Sequence, residues 1–342
     1  MNTFIKKLAT AALVVGAIGL ASTAQAQQPT PKELKQAFAP KSTHRAPFKK
    51  ANEAELLSVN IQFKMATRQE QEKRKVGNVI TWGFLEGVDD ALLQEIADEY
   101  YKNLEVKLKA NGISLTTEYK GSEQYQKLVE RSSDLERELH KKNWGVSKIV
   151  TANNAPYIEF PIMAGAHSSL GNKLKKPVGM LFITVDFIEI TQNISKGISS
   201  FTLGGNSDRT DKFETDMRPV IRIEGVTQGG IKMKGDGTYA RFNGANHSYC
   251  NPGLQNFAIT SAVPYANDVQ VAEGMPESMK KFKSAVVGDL ASIFSKGAVK
   301  SGRGNLEATY TIQANPEAYK KAVLNALDKY NDYLIAYIKA NN

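Results

Sequence analysis

The stretch that decides the fold is Val178–Ile190, VGMLFITVDFIEI. Large apolar residues stand at odd and even positions alike, namely Leu181, Phe182, Ile183, Val185, Phe187 and Ile188. Because successive side chains of a strand point to opposite faces, such a run is typical of a strand covered on both faces. The run is also shorter than the roughly 20 apolar residues that a membrane-spanning helix needs. We therefore predict that Val178–Gln192 lies at the centre of a sheet with a layer on each side.

Alternating segments predict the strands around this centre. Leu57–Thr67 alternates apolar residues with Asn60, Gln62 and Lys64, which predicts a strand with one buried face. Val79–Leu85 repeats the alternation, so the two segments are predicted to pair antiparallel, with Arg68–Lys75 as a charged loop between them. The same pattern predicts further strands near Ile113–Thr117, Lys148–Thr151, Tyr157–Met163, Pro219–Val226, Gly230–Met233, Tyr239–Phe242, Phe257–Val263 and Leu306–Ile312.

Four segments repeat apolar residues at three- and four-residue steps, as helices with one buried stripe do. They are Asp89–Asn111, Glu123–Lys142, Pro276–Lys296 and Pro316–Lys339. Asp89 and Asn315 are suited to cap their helices, and Gly112 supplies a left-handed end. The stripe of the last helix, which includes Leu334, is predicted to cover one face of the sheet. We predict an α/β or α+β fold: a mixed, largely antiparallel sheet of many strands, packed by about four long helices.

The N-terminal segments predict export. Residues 1–26 combine Lys6 and Lys7, an apolar run and the ending Ala24-Gln25-Ala26, the three regions of a signal peptide. Residues 27–55 carry prolines and lysines but few large apolar side chains, so they are predicted to form a flexible basic tether. Residues 56–342 are predicted to form a single globular domain, with a possible internal boundary near 145.

Charge and cysteine content narrow the possible partners. The formal charge of the chain is +9, and Lys6 and Lys7 of residues 1–26 contribute two of these charges. The remaining excess favours anionic surfaces, such as phospholipid headgroups or acidic cell-wall polymers, over nucleic acid once the chain is exported. Solubilising lysines are the alternative explanation. Cys250 is the single cysteine, so no intrachain disulfide is possible, and we expect its thiol to be buried.

Catalytic and metal-binding motifs are weak. The sequence has no Gly-x-Ser-x-Gly elbow, and Ser278-x-x-Lys281 lacks the companion motifs of penicillin-recognising enzymes. His247-x-x-Cys250 lacks a second ligand pair. The least implausible hydrolytic trio is His167, Ser168 and Asp186. A calcium loop would draw on Asp208, Asp211, Glu214 and Asp216, although their spacing is not that of a calcium-binding loop. We assign no catalytic, cofactor or metal site from the sequence.

One segment carries a resemblance. It is Leu57–Leu115, in the predicted order strand, charged loop, second strand, long helix, asparagine-glycine, short strand. Its core text is Gly83–Asp90 (GFLEGVDD), Leu93–Asp98 (LQEIAD) and then Leu104 through Gly112-Ile113. This pattern resembles uncharacterised exported proteins of Gram-negative bacteria. It is more loosely similar to the α/β envelope domains of the curli-secretion lipoproteins, the penicillin-binding-protein activators and the Tol periplasmic protein. Gln27 stands where those lipoproteins carry a lipid-bearing cysteine, so the resemblance implies an envelope domain but neither a lipid anchor nor any functional residue.

Two functional hypotheses follow from these observations. The first is a non-enzymatic periplasmic or secreted binding or accessory protein whose partner is an envelope protein or an anionic polymer. The second is a hydrolase whose site is assembled from scattered residues.

Overall fold

The computed structural model describes residues 28–38, 46–73, 77–132, 135–141, 145–158, 168–195, 212–225, 237–255, 259–266, 269–271 and 306–340. The helices within these ranges are α1 (Pro31–Ala37), α2 (Asp90–Ala110), α3 (Glu123–Ser132), α4 (168–174) and α5 (Pro316–Ala340). The strands are β1 (Glu53–Lys73), β2 (Gly77–Glu86), β3 (Ser114–Thr116), β4 (Glu138–Lys141), β5 (Gly145–Thr151), β6 (Val178–Ser195), β7 (Lys212–Ile223), β8 (Tyr239–Asn243), β9 (Tyr249–Cys250), β10 (Ile259–Thr260), β11 (Val269–Val271) and β12 (Leu306–Gln313).

All these strands belong to one mixed sheet, which confirms the predicted fold class. The main path runs β10-β7-β6-β1-β2-β12-β11, while β3 and β5 also pair with β1 and β8 pairs with β6. Three neighbouring pairs are parallel: β1 with β6, β1 with β3, and β2 with β12. The others are antiparallel, including the predicted β1–β2 hairpin. The segment predicted as a charged loop continues β1 instead, because the strand stays paired up to Lys73 opposite Gly77.

The predicted central strand is confirmed. Strand β6 lies between β1 on one side and β8 and β7 on the other. Its residues from Val178 to Ile188 are buried on both faces. The sequence of this strand does not alternate between apolar and polar residues because both of its faces are covered.

Strands β1 and β6 stop pairing with each other in the middle of the sheet. Strand β1 pairs with β6 up to Phe63, and on the same side it pairs with β2 from Ala66 onward, after a bulge. Strand β6 pairs with β8 up to Phe182 and with β7 from Val185 onward, with its own bulge after Asp186. The two bulges mark the place where the β1–β2 and β6–β7 hairpins diverge, since a bulge bends a strand and increases its twist.

Helices α2 and α5 form one layer. Asp89 caps α2 through a 2.8 Å hydrogen bond from the Leu92 amide, as its position predicts. The two helices run parallel: Lys320 forms an ion pair with Glu95 near their N-terminal ends, and the Tyr100 hydroxyl donates to Asn331 Oδ1 at 2.8 Å further along.

Leu334 is 1 % exposed and belongs to the main core, so the predicted role of the last helix in the core is confirmed.

A second layer covers the opposite face of the sheet. Tyr125 and Leu128 of α3 and Leu170 of α4 pack with Val178 and Met180 of β6. The helix predicted over Glu123–Lys142 is wrong in its second half, because α3 ends at Ser132. Residues Glu138–Lys141 form β4, which pairs with the edge of β5. The strand satisfies backbone groups along that edge, a tertiary contact that outweighs the helical spacing of the apolar residues.

The described part of the predicted tether has fixed structure, which corrects the prediction for those residues. Thr30 caps α1, and the ring of Phe38 lies 4.7 Å from the ring of Tyr337 on α5. Ala37, Phe38 and Phe48 are buried, and β1 begins at Glu53. These few apolar side chains hold the segment in place because each is buried against the rest of the domain.

Several other predictions fall outside the described residues or are only partly matched. The signal segment 1–26, the strand Gly230–Met233 and the helix Pro276–Lys296 lie outside them. Tyr157 and Ile158 are not in a strand, and the rest of that predicted strand is not described. Of the strand predicted over Phe257–Val263, residues 257 and 258 are not described, Ile259–Thr260 forms β10, and residues 261–263 are not in a strand.

Candidate functional site

The polar side of β1 is buried, which the alternating sequence did not reveal. Asn60 and Gln62 are fully buried and Lys64 is 7 % exposed. The Asn60 amide donates to the carbonyl of Ile158 at 3.4 Å, and the Gln62 amide donates to Ser147 Oγ at 2.7 Å. Because buried polar groups need hydrogen-bond partners, each polar side chain of this stripe needs a partner from a neighbouring segment.

The stripe leads to a cluster of three charges. Lys64 Nζ lies 2.9 Å from Asp186 Oδ2 and 2.6 Å from Glu224 Oε2. Asp186 is 2 % exposed, whereas the Glu224 side chain is 25 % exposed and gives the cluster its contact with solvent. Lys64 stands at the bulge of β1, Asp186 at the bulge of β6, and Glu224 directly after β7.

Asp186 also holds the divergence point together. Its Oδ1 accepts from the Thr67 hydroxyl at 2.9 Å, the Phe187 amide at 2.8 Å and the Ile188 amide at 3.3 Å. The two amides belong to the β6 bulge, and Lys64 and Thr67 stand on either side of the β1 bulge. The Asp186 carboxylate therefore connects the bulges of β1 and β6. It can do so because its two oxygens accept several hydrogen bonds at once.

Burial and mutual charge separate the two carboxyl groups. Burial raises the pKa of Glu224; the positive charge of Lys64 opposes this, while the negative charge of Asp186 adds to it. Burial would also raise the pKa of Asp186, but the charge of Lys64 and hydrogen bonds from Glu224, Lys64 and Thr67 hold it below the ordinary value. For Lys64 burial works to lower the pKa, and the two acids outweigh it, so the ammonium stays charged. Of the two carboxyl groups, Glu224 therefore binds its proton more tightly than Asp186 does.

This arrangement has limited chemical reach. A carboxyl group with a raised pKa next to a carboxylate is what general acid–base catalysis requires. Here the Lys64 ammonium binds both carboxyl groups and Glu224 also hydrogen-bonds Asp186. Asp186 accepts further hydrogen bonds from Thr67 and from two backbone amides. Only Glu224 is open to an incoming molecule. The geometry fits a structural clasp better than an acid–base pair that shares one substrate.

The hydrolytic trio is not assembled from its described members. His167 lies outside the described residues, and Ser168 stands on α4. A Cβ at Gly171 of that helix would lie 2.6 Å from the carbonyl oxygen of Asn243, which is paired with Val178. Asp186 stands further along β6, roughly 26 Å from Val178 at about 3.3 Å per residue. Ser168 and Asp186 therefore lie near opposite ends of this part of β6.

The candidate calcium ligands are only partly described. Asp208 and Asp211 lie outside the described residues, while Glu214 and Asp216 lie in β7. Ser278 and Lys281 of the serine–lysine motif also lie outside them. Cys250 is 2 % exposed, as expected, and His247 belongs to the turn before its strand. Over the described ranges, no group of three or more His, Cys, Asp and Glu side chains is placed to hold a metal ion.

A second candidate site lies on the surface, where α2 and α5 end. A groove of about 110 Å³ is lined there by Ala51, Leu108, Asn111, Gly112, Ile113, Ile335, Ile338 and Lys339. Exposed lysines stand in or next to this lining: Lys49, Lys50, Lys109 and Lys339, which we call the basic end. Among the described residues these four lysines form no ion pair with an acid, so their charges are available to a partner.

The opposite end of the same helix pair is acidic. A wider groove of about 560 Å³ lies where β2 and β12 end, and Asp89 and Glu95 are the charged residues of its lining. Asp89 caps α2, and Glu95 bonds Lys320 at 2.7 Å, so both are already used within the fold. This end adds no free cationic or nucleophilic group.

Comparisons with known proteins complete the description of the site. No helix among the described residues is both long and apolar enough to cross a membrane. Neither the protein-family models, nor the curated proteins, nor the solved structures contain a match to this chain. The resemblance to envelope domains therefore stays a prediction.

Proposed function

We propose that this chain is an exported protein of the bacterial cell envelope that acts by binding rather than by catalysis. The predicted signal peptide supports export, and the predicted resemblance supports an envelope role. The geometry of the charged side chains supports binding: the buried charges are tied into the fold, while the four lysines of the basic end are presented outward.

The basic end is the observation that carries this proposal. Cations near helix C-termini offset the negative end of the helix dipole, which accounts for Lys109 and Lys339 without any partner. That explanation does not extend to Lys49 and Lys50, which lie in the turn before β1. Lys50 moreover has a φ of 65°, a left-handed conformation in which glycine or asparagine is common and other residues are strained.

Co-sedimentation with a total envelope fraction tests the proposal. The chain without residues 1–26 is expected to pellet with envelopes at low salt and to be released at high salt, since exposed charges are screened. A variant with Lys49, Lys50, Lys109 and Lys339 replaced by glutamine should stay in the supernatant. If the wild-type chain does not pellet, or if the variant pellets equally well, the proposed binding role of the basic end is wrong.

A second candidate, hydrolysis, rests on Glu224. Its raised pKa and partial exposure would let its carboxyl group give a proton to the leaving-group oxygen of a bond that water cleaves. Assays on a panel of ester, glycoside and phosphoester substrates test this reading, with Glu224→Gln as the matched variant. Turnover that the variant abolishes would favour hydrolysis over pure binding.

A further inference from the structure

We propose that the basic end docks on an anionic phospholipid surface, an inference that rests on the proposed function and names its partner. The surface consists of Lys49 and Lys50 in the turn before β1, and Lys109 and Lys339 in the last turns of α2 and α5. All four side chains are exposed at one end of the helix layer. The partner is identified by its charge and by the shape of this surface.

The residue type indicates a diffuse partner. Among the residues that the structure describes, the basic end contains four lysines and no arginine. Arginine presents a rigid fork that fits one carboxylate or phosphate, whereas lysine is a flexible point charge with no fixed pairing geometry. Four flexible lysines therefore fit a surface of many equivalent headgroups better than a single anion that is bound in a fixed geometry.

The size of the groove points the same way. Sites for small molecules are usually cavities of about 300–1,000 Å³, and the groove between the four lysines measures about 110 Å³. Its apolar lining is occupied within the fold, because Leu108 and Ile338 are 2 % and 1 % exposed. The groove is thus too small to enclose a ligand, and the lysines around it act as a surface.

One apolar side chain stands beside this surface. Val106 is 67 % exposed and lies three residues before Lys109 on α2, so the two side chains are neighbours on one face of the helix. An apolar side chain next to lysines can enter the boundary between headgroups and acyl chains while the lysines stay at the level of the headgroups. The apolar side chain enters the interface while the lysines contact phosphates.

Vesicle co-sedimentation tests this inference. The probes are vesicles of 30 % phosphatidylglycerol in phosphatidylcholine and vesicles of phosphatidylcholine only, at about 0.1 M salt. Each lysine near an anionic surface strengthens binding about fivefold, so replacing all four with glutamine should weaken binding by at least about 100-fold. Vesicles without phosphatidylglycerol should not bind the wild-type chain.

A matched control separates position from total charge. Lys120, Lys127, Lys173 and Lys321 are equally exposed but lie away from the basic end, on the α3–α4 side and at the start of α5. Replacing these four with glutamine removes the same charge and should leave vesicle binding within about threefold of wild type, since acids are interspersed with them and surface charges act locally. Circular dichroism of both variants confirms that each is folded.

The outcomes distinguish this inference from the proposed function. Loss of vesicle binding in the basic-end variant, with binding kept in the control variant, supports lipid docking. Equal loss in both variants overturns it, because total charge would then be the cause. If the wild-type chain ignores anionic vesicles but pellets with purified sacculi through the basic end, the lipid inference is wrong and the proposed function stands. If it binds neither envelopes nor vesicles, both are wrong.

Discussion

Replacing Lys64 with methionine should destabilise the protein strongly and make its stability depend on pH. Methionine keeps much of the side-chain length but removes the ammonium that lies 2.9 Å from Asp186 and 2.6 Å from Glu224. Two acids then share a buried site with no cation between them. Removing one partner of a buried ion pair costs about 3–5 kcal/mol, and we expect a loss of that size at pH 7.

The pH dependence gives the sharper test. Without the ammonium, the pKa of Asp186 in the folded state rises above its value in the unfolded chain, and the pKa of Glu224, which is already raised, rises further. The folded state of the variant then binds more protons than its unfolded state does. The variant therefore becomes more stable as the pH falls and less stable as the pH rises. The change is at most about 1.4 kcal/mol per pH unit for each proton. The cost of Lys64→Met should therefore be clearly smaller at pH 5 than at pH 7.

Urea denaturation at pH 5, 6, 7 and 8 measures both quantities, and Lys320→Met is the matched control. Lys320 also bonds two acids, Glu95 at 2.7 Å and Glu99 at 2.8 Å, but these acids are 59 % and 41 % exposed. Exposed pairs contribute about 0–1 kcal/mol, so the control variant should lose little at any pH. A Lys64→Met variant that loses no more than the control, with an unchanged pH profile, would refute the assignment of a buried clasp.

Four further variants test other parts of the structure by the same urea method. Glu224→Gln removes the acid with the raised pKa, whose contribution to stability is lost as the pH rises; the variant should gain on the wild type from pH 5 to pH 8, and an unchanged difference would contradict the pKa direction. Phe38→Ala should cost about 3–5 kcal/mol because its ring is 2 % exposed; a loss below about 1 kcal/mol would return α1 to a tether. Leu334→Ala should cost about 2–5 kcal/mol through a cavity in the main core, whereas unchanged stability would make the α5 stripe a docking face. Gly145→Ala should disrupt the β1–β5 pairing, since its Cβ would lie 1.8 Å from the Ala66 carbonyl oxygen at a φ of +113°; wild-type stability would show that the strands approach less closely.

Much of the fold was readable in local patterns, and the errors have a common cause. Helix α2 was predicted nearly to the residue because its cap, its apolar stripe and its terminal glycine all agree. The helix predicted over Glu123–Lys142 failed where these signals disagree. Leu139 fits the helical stripe but also fits an alternating strand, and the free edge of β5 decides for the strand.

The α1 segment failed for a related reason. Its composition is that of a tether, and composition is a statement about the average side chain. Phe38 and Phe48 are two exceptions whose burial depends on sites that α5 and β8 supply, as their contacts with Tyr337 and Phe242 show. A pattern in the segment itself contains no information about those sites.

The candidate sites were still harder to predict. Lys64 and Asp186 are 122 residues apart in the chain, and Lys64 is one of several polar residues that alternate along β1. The one signal in the sequence was that Asp186 interrupts the most apolar run, which calls for a partner without naming it. The lysines of the basic end likewise come from three separate segments.

The sequence by itself determined the elements of this protein: a doubly apolar central strand, alternating strands beside it, and two long capped helices. It did so because helices and strands place side chains at fixed periods along the chain, which a local pattern records. Only the tertiary structure decided which polar faces are buried, where β1 and β6 exchange neighbours, and which charges meet. Those outcomes depend on contacts between residues far apart in the chain, and the free energy of such a contact belongs to the pair, so neither segment carries it alone.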